Sequence, residues 1–169
     1  KGTCLFQYFS NLVKALVCNQ PLILLDSDLN FNEMGELSEK QVNEQVPLIF
    51  HEFKSIDEVI AAVQVSTSEI TLFTSGTTGQ PKKVIHTVFS LTRSVRISEN
   101  NKGQIWGFAY NPTHMAGLQV FFQAFENKNT LVNIFGNSRT AVYQAIDNNQ
   151  ITHLSATPTF YRLLLPYEH

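Results

Sequence analysis

A nine-residue polar run, Thr74-Ser75-Gly76-Thr77-Thr78-Gly79-Gln80-Pro81-Lys82, sits between two β-branched, apolar stretches. Ile70-Thr71-Leu72-Phe73 precedes it and Val84-Ile85-His86-Thr87-Val88 follows. That pattern predicts strand, glycine-bearing loop, strand. Gly76 and Gly79 open backbone conformations closed to other residues and remove side chains that would block close approach. Successive amides can then converge on an anion. Ser75, Thr77 and Thr78 each add a rotatable hydroxyl. Pro81 fixes one φ angle, and Lys82 brings a point charge suited to a polyphosphate tail. The same composition also suits an ordinary surface turn that holds no ligand.

Other phosphate signatures fit worse. A Walker A loop needs glycine before its lysine and Ser or Thr after it, whereas Pro81 and Lys83 flank Lys82. The chain contains no G-x-G-x-x-G and no G-x-S-x-G nucleophile elbow. No histidine or cysteine pair has metal-ligand spacing within one element, so no protein-bound metal is expected.

At 169 residues, with 43% hydrophobic and 15% charged residues, the chain is expected to form a single globular α/β domain over 1–169. Net charge is −2 and the basic residues are scattered, which gives no nucleic-acid footprint. No apolar run reaches the length of a membrane span. Cys4 and Cys18 fall in one predicted helix, too far apart for a disulfide, so a reduced, cytoplasmic setting is expected. The start, Lys1-Gly2-Thr3, lacks an initiator Met, and the chain is expected to begin inside a longer protein.

Apolar residues at helical spacing run from Leu5 to Val17. Pro21 to Leu25 and Pro47 to Phe50 read as short strands. The stretch from Ser27 to Gln45 reads as a loop, with a short helix near Asn32–Leu37. Ile56 to Val65 reads as a helix capped by Ser55, with Asp57 and Glu58 in its first turn. After the polar run come a helix from Phe89 to Ile97, a strand from Gln104 to Tyr110 and a helix from Met115 to Phe125. A strand from Thr130 to Phe135, a helix from Arg139 to Asn148 and a strand from Thr152 to Ala156 follow. Pro158 opens a last helix with Thr157 as its cap. Arg93 and Arg96 are expected on a solvated helix face. The alternation predicts a mainly parallel sheet flanked by helices.

The ordered string Phe73 through Lys82 resembles the signature loop of the adenylate-forming superfamily, which includes acyl- and aryl-CoA synthetases. That signature reads roughly [Tyr/Phe]-Thr-Ser-Gly-[Ser/Thr]-Thr-Gly-x-Pro-Lys-Gly, and Lys83 stands where glycine is usual. Pro112-Thr113-His114-Met115-Ala116-Gly117 resembles a second family stretch, with Thr113 in place of the usual aromatic residue. Ile151 to Tyr161 resembles a third, and Asp26 matches part of an earlier one. The histidine that the family often carries after Thr87 is replaced by Val88. His86, His51, His153 and His169 match no family position.

The resemblance implies an incomplete portion of an adenylate-forming enzyme's large domain. Thr74, Ser75, Gly76, Thr77, Thr78, Gly79 and Lys82 would hold the phosphates of ATP, with Mg²⁺ carried on the nucleotide. His114, Met115 and Gly117 would shape a pocket for a small carboxylic acid, with Phe108 and Tyr110 as an aromatic wall. ATP would be cleaved to AMP, and coenzyme A would accept the acyl group. The family places its adenine- and ribose-binding residues and a lid bearing a catalytic lysine beyond the last residue of this chain. No catalytic residue is assigned, and the chain alone is expected to be inactive. Two further readings are a non-catalytic phosphate-binding module and a truncated structural piece that self-associates through an exposed apolar surface.

Overall fold

The computed structural model describes residues 4–26, 52–74 and 82–165. Ser75 to Gly79, the loop and short helix expected between Ser27 and Gln45, the strand expected at Pro47–Phe50, His51 and His169 all lie outside the described residues. Two compact units divide the chain, Lys1–Ser90 and Leu91–His169.

In the first unit, α1 (Leu5–Val17) buries Phe9, Leu12, Ala15 and Leu16 along one face. Cys4 and Cys18 are its flanking cap residues and carry free thiols. Desolvation pushes the half-buried Tyr8 phenol above its ordinary value. Strand β1 (Leu22–Ile23) follows, and then α2 (Ile56–Gln64), which starts where Ser55 Oγ accepts the Glu58 amide at 3.3 Å. A three-stranded sheet has β2 (Ile70–Thr74) at its centre, parallel to β1 and antiparallel to β3 (Lys82–His86). Ile70, Thr71 and Leu72 of β2 are buried, as a central strand with both faces covered requires. The β3 strand starts earlier than the sequence suggested and stops at His86.

Thr87 therefore caps a helix instead of extending the strand. Its Oγ1 accepts the Ser90 amide at 3.2 Å, and Ser90 Oγ accepts the Thr87 amide at 3.1 Å. The reciprocal pair is a capping box. It opens α3 (Val88–Thr92), much shorter than the helix expected over Phe89 to Ile97. Val88 is fully buried, which suits an apolar residue better than a histidine.

The second unit is built on a parallel sheet with β4 (Ile105–Phe108) at its centre, flanked by β5 (Thr130–Asn133) and β6 (His153–Ser155). Side chains alternate across β4. Gly107 meets Ile134 and Leu154, in a core shared with Val142 and Ile146 of α5 (Arg139–Asn149). Phe108 belongs to the opposite face, beside α4 (Met115–Glu126). Helix α4 buries Leu118, Val120, Phe121, Phe122 and Ala124, so it is covered on most sides. The last helix, α6 (Pro158–Leu164), begins at Thr157, whose Oγ1 accepts the Phe160 amide at 3.2 Å. Among the described residues no helix is long and apolar enough to cross a membrane.

The segment after α3 is not helical because its backbone is bonded elsewhere. Gln123 Oε1 accepts the Arg96 amide at 3.1 Å, and Gln123 Nε2 donates to the Arg96 carbonyl at 3.1 Å. Asn127, fully buried, donates to the same carbonyl at 3.0 Å. Asn127 is the C-cap of α4, one helical turn beyond Gln123. Arg93 therefore sits in the turn that ends α3 and Arg96 on the strap beyond it, not on the helix face expected for them.

Helices α1, α4 and α5 close alike, with a left-handed residue before the next strand. In α4, the Asn129 amide reaches the Ala124 carbonyl at 2.8 Å and the Lys128 amide reaches the Phe125 carbonyl at 3.1 Å. Lys128 has φ 57°, beside Asn19 at 53° and Gln150 at 52°. These are Schellman closures without glycine. A Cβ in that conformation costs about 1–2 kcal/mol. Lys128→Gly is expected to raise unfolding stability by about 1 kcal/mol in urea denaturation, whereas Lys128→Ala is expected to give no gain.

Candidate functional site

The two ends of the polar run are held as a ladder pair. Thr74 and Lys82 are Cα partners at the end of the β2–β3 hairpin where residues 75–81 join the strands. Thr74 Oγ1 lies 3.4 Å from the Lys82 carbonyl, a long bond on an exposed edge. Lys83 is a strand residue in register with Phe73, so the ladder accommodates it where the family pattern has glycine. Lys82 and Lys83 emerge on opposite faces of β3 and are both exposed. Neither forms an ion pair with a described residue.

A second candidate site lies in the 91–169 unit. The turn before α4 is built by Asn111, whose Oδ1 accepts the Thr113 amide at 3.0 Å and the Thr113 hydroxyl at 2.8 Å. This Asx turn buries Thr113 and delivers the chain to His114, the N-cap of α4. His114 is exposed and makes no side-chain cap bond; Met115 is half-buried in the first turn. Gly117 is buried for a specific reason. A Cβ there would stand 2.4 Å from the Asn111 carbonyl oxygen and 3.3 Å from Phe108 Cζ.

Beyond these residues a cavity of about 210 Å³ opens along α4. Ala116, Gln119, Val120 and Gln123 line one side, following the i, i+3, i+4, i+7 stripe of a helix. Trp106, Tyr110 and Ser155 line the other, from β4, the residues just after it and the end of β6. The carboxyl ends of parallel strands are where open α/β sheets bind ligands. Trp106 stacks on His153 with ring centroids 5.1 Å apart and 26° between planes, and its Nε1 donates to Gln104 Oε1 at 3.0 Å.

The expected pocket residues are thus divided. His114, Met115 and Gly117 stand at the start of α4 and do not line the cavity, which is lined on that helix by Ala116, Gln119, Val120 and Gln123. Tyr110 lines it, but Phe108 does not. Phe108 is fully buried, held between its sheet and Gly117. Trp106, Gln119 and Gln123 were missed. The available signal was two glutamines one turn apart on a helix whose only other polar residue is Glu126, and the chain's one tryptophan in a strand. Among the described residues no group of three or more His, Cys, Asp or Glu side chains could hold a metal ion.

Comparison with known proteins gives a family and a fold. The family described as AMP-binding enzyme matches residues 11–169. No curated protein sequence matches the chain. Among solved structures, o-succinylbenzoate CoA synthetase (MenE) from Bacillus subtilis, in complex with the acyl-adenylate intermediate OSB-AMP, is 21% identical with a TM-score of 0.59. That match covers 91% of this chain and 47% of the other. The same synthetase in complex with ATP and magnesium ion is 24% identical at TM-score 0.52, covering 95% of this chain and 34% of the other. The N-terminal domain of FACL13 from Mycobacterium tuberculosis is 18% identical at TM-score 0.53, covering 66% and 32%. The chain spans less than half the length of these structures. It shares their α/β fold with a parallel sheet and flanking helices.

Gly117→Ala is expected to destabilise the protein by about 1–3 kcal/mol, because the atom it meets is backbone and cannot rotate away. The denaturation midpoint measured in urea should fall accordingly. Ala116→Gly, one residue away, should cost no more than about 1 kcal/mol, the helix-propensity difference.

Proposed function

Because the chain belongs to the AMP-binding enzyme family, we propose that it carries the triphosphate grip and the acid pocket of an AMP-forming acid–thiol ligase. The carboxylate of a small acid attacks the α-phosphate of ATP, and pyrophosphate leaves. A thiol, coenzyme A, then displaces AMP to give the thioester. Residues 1–169 form part of the large catalytic core in this reading. Free Cys4 and Cys18 suit a reduced, cytoplasmic setting.

The observation that carries the reading is the ordered string Phe73 to Lys82, in a chain that the family matches over 11–169. The amides and hydroxyls of Ser75, Gly76, Thr77, Thr78 and Gly79 take the β- and γ-phosphates. Thr74 and Lys82 flank them from the paired ends of the hairpin. Donors arranged in advance stabilise the charge that builds as pyrophosphate departs. Mg²⁺ comes to the site on the phosphates and needs few protein ligands. The acid is held in the 91–169 unit, near the start of α4, by His114, Met115 and Gly117 and by the cavity beyond them. Support for nucleotide and acid comes from the Bacillus subtilis synthetase of the same fold, described in complex with ATP and magnesium ion and with an acyl-adenylate.

ATP titration by calorimetry tests the grip. The chain is expected to bind ATP, and Lys82→Ala to weaken binding about 10–100-fold, the loss of a charge-assisted hydrogen bond of about 1.5–3 kcal/mol. Lys83→Ala, on the other face of β3, is expected to change affinity by no more than about twofold. No ATP binding, or equal effects of the two variants, contradicts the assignment of Lys82.

A further inference from the structure

Thr152 leads into β6, and its hydroxyl has three polar neighbours. The Ile105 amide donates to Oγ1 at 3.0 Å, the Ile105 carbonyl lies 3.2 Å away, and His153 Nδ1 lies at 2.8 Å. A hydroxyl has one proton and two lone pairs, and the amide takes one of the lone pairs. If the hydroxyl proton went to Nδ1, the oxygen would face the Ile105 carbonyl with no hydrogen between them. If Nδ1 carries a proton, it fills the second lone pair, the hydroxyl donates to the carbonyl, and all three contacts are hydrogen bonds. The bond made by one ring nitrogen sets the tautomer of an imidazole. Thr152 thus keeps the proton of neutral His153 on Nδ1 and leaves Nε2 bare. Among the described residues Nε2 has no hydrogen-bond or ion-pair partner.

The same ring stacks on Trp106, its register partner across β4 and β6, with centroids 5.1 Å apart. Trp106 in turn lines the α4 cavity. Imidazole changes charge between pH 5 and 8. A second proton, added at Nε2, turns the neutral stack into a cation–π contact. The Nδ1 bond to Thr152 is the same in both forms, so the change breaks no hydrogen bond. The surroundings are uncharged. Gln104 and Ile105 flank Trp106 on β4, and the α4 and strap residues that line the cavity carry no charge. The phenols on adjoining elements are Tyr110 and Tyr161, of which Tyr161 donates to the Leu154 carbonyl at 2.6 Å. No Asp, Glu, Lys or Arg among the described residues pairs with His153.

We propose that His153 is a proton switch on the cavity wall. Neutral, it stacks on Trp106 as an uncharged ring. Protonated, it sets a positive charge against the indole and draws anions toward the cavity. Thr152 is its positioning residue. In an open recess water and salt screen that charge, so its effect on a bound carboxylate is about two- to fivefold. This consequence for acids rests on the acid site proposed above, whereas the switch itself does not.

Trp106 is the chain's one tryptophan, so its fluorescence reads the stack directly. Imidazolium quenches an indole in contact with it more than neutral imidazole does. In the full 169-residue chain, emission is expected to fall as the pH is lowered from about 8 to about 5.5. His153→Phe keeps a ring on the indole but takes no proton, and its emission is expected to stay level. Long-range ¹⁵N–¹H correlation spectra of the neutral form are expected to show the proton on Nδ1. Thr152→Val, which keeps the branched shape and removes the hydroxyl, should move it to Nε2. Benzoate, ionised at both pH values, is expected to bind about two- to fivefold tighter at the lower one, and with no pH dependence in His153→Phe. Wild-type quenching that persists in His153→Phe, emission that does not respond to pH, or a neutral proton found on Nε2 overturns the switch. Equal benzoate affinity at both pH values overturns its effect on acids. The expected emission and tautomer with no benzoate binding at either pH support the switch and contradict the acid site instead.

Discussion

In the 91–169 unit, helix α4 can reach its sheet only because position 117 lacks a side chain. The Asn111 carbonyl occupies the space a Cβ would need, 2.4 Å away, and the Phe108 ring lies just beyond it. That close approach fixes the axial position of α4. It leaves the apolar stripe of Leu118, Phe121 and Phe122 buried, and it sets Ala116, Gln119 and Gln123 along the edge of the cavity. Each fully buried Phe or Leu contributes about 1.5–3 kcal/mol, so packing on this scale can hold the turn at Asn111 against the strain of a crowded approach. The Asx turn shares the work, since Thr113 would otherwise be a buried hydroxyl with an unmet bond.

The second constraint is polar. Gln123 and Asn127 stretch from α4 to the backbone at Arg96 and Ser98 and hold it in an extended path. Asn127 is fully buried, so these bonds form in a low-dielectric setting where leaving them unmade costs about 1–3 kcal/mol each. A buried amide can discriminate between backbone paths as apolar packing cannot, because it is satisfied only when a specific N–H or C=O faces it. The strap brings Ser94 and Val95 to the cavity and ties the cavity wall to the helix that forms its floor.

Much of this was legible in the sequence, and what was not has physical causes. Helix starts were readable where a hydroxyl caps them: Ser55, Thr157 and the Ile56 and Pro158 that follow behave as local rules demand. The β2–β3 pairing was readable from two β-branched runs flanking a polar one. The end of α3 was not, because Val88 to Ile97 is apolar at acceptable helical spacing, and the residues that stop the helix are Gln123 and Asn127, about 30 positions downstream. The ends of α4 and α5 fall within one residue of the reading, although the left-handed residues that close them, Lys128 and Gln150, are not the glycine such a closure favours. Of the site, the loop ends and the start of α4 could be named in advance. Trp106 and Gln119 could not, because their significance lies in β4, α4 and β6 meeting around one recess.

The distribution of charge bears on how the proposed reaction could work. Lys82 and Lys83 stand at the end of the hairpin that carries the polar loop, whereas the cavity lining is neutral throughout. A carboxylate that has to attack phosphorus must keep a lone pair available. A lysine clamped on it in the cavity would stabilise the ground state as much as the transition state and add nothing to the rate of the chemical step. An acid held by neutral contacts would keep its attacking oxygens free of such a partner. The phosphates present the opposite problem, because negative charge accumulates on pyrophosphate as the bond to the α-phosphorus breaks. Amide donors and a cation held against the phosphates would act there on the transition state itself. In the proposed reaction a cationic grip for the nucleotide and a neutral recess for the acid would therefore be complementary: an anion introduced into the recess would oppose binding of the carboxylate, and a cation would strengthen binding without speeding attack.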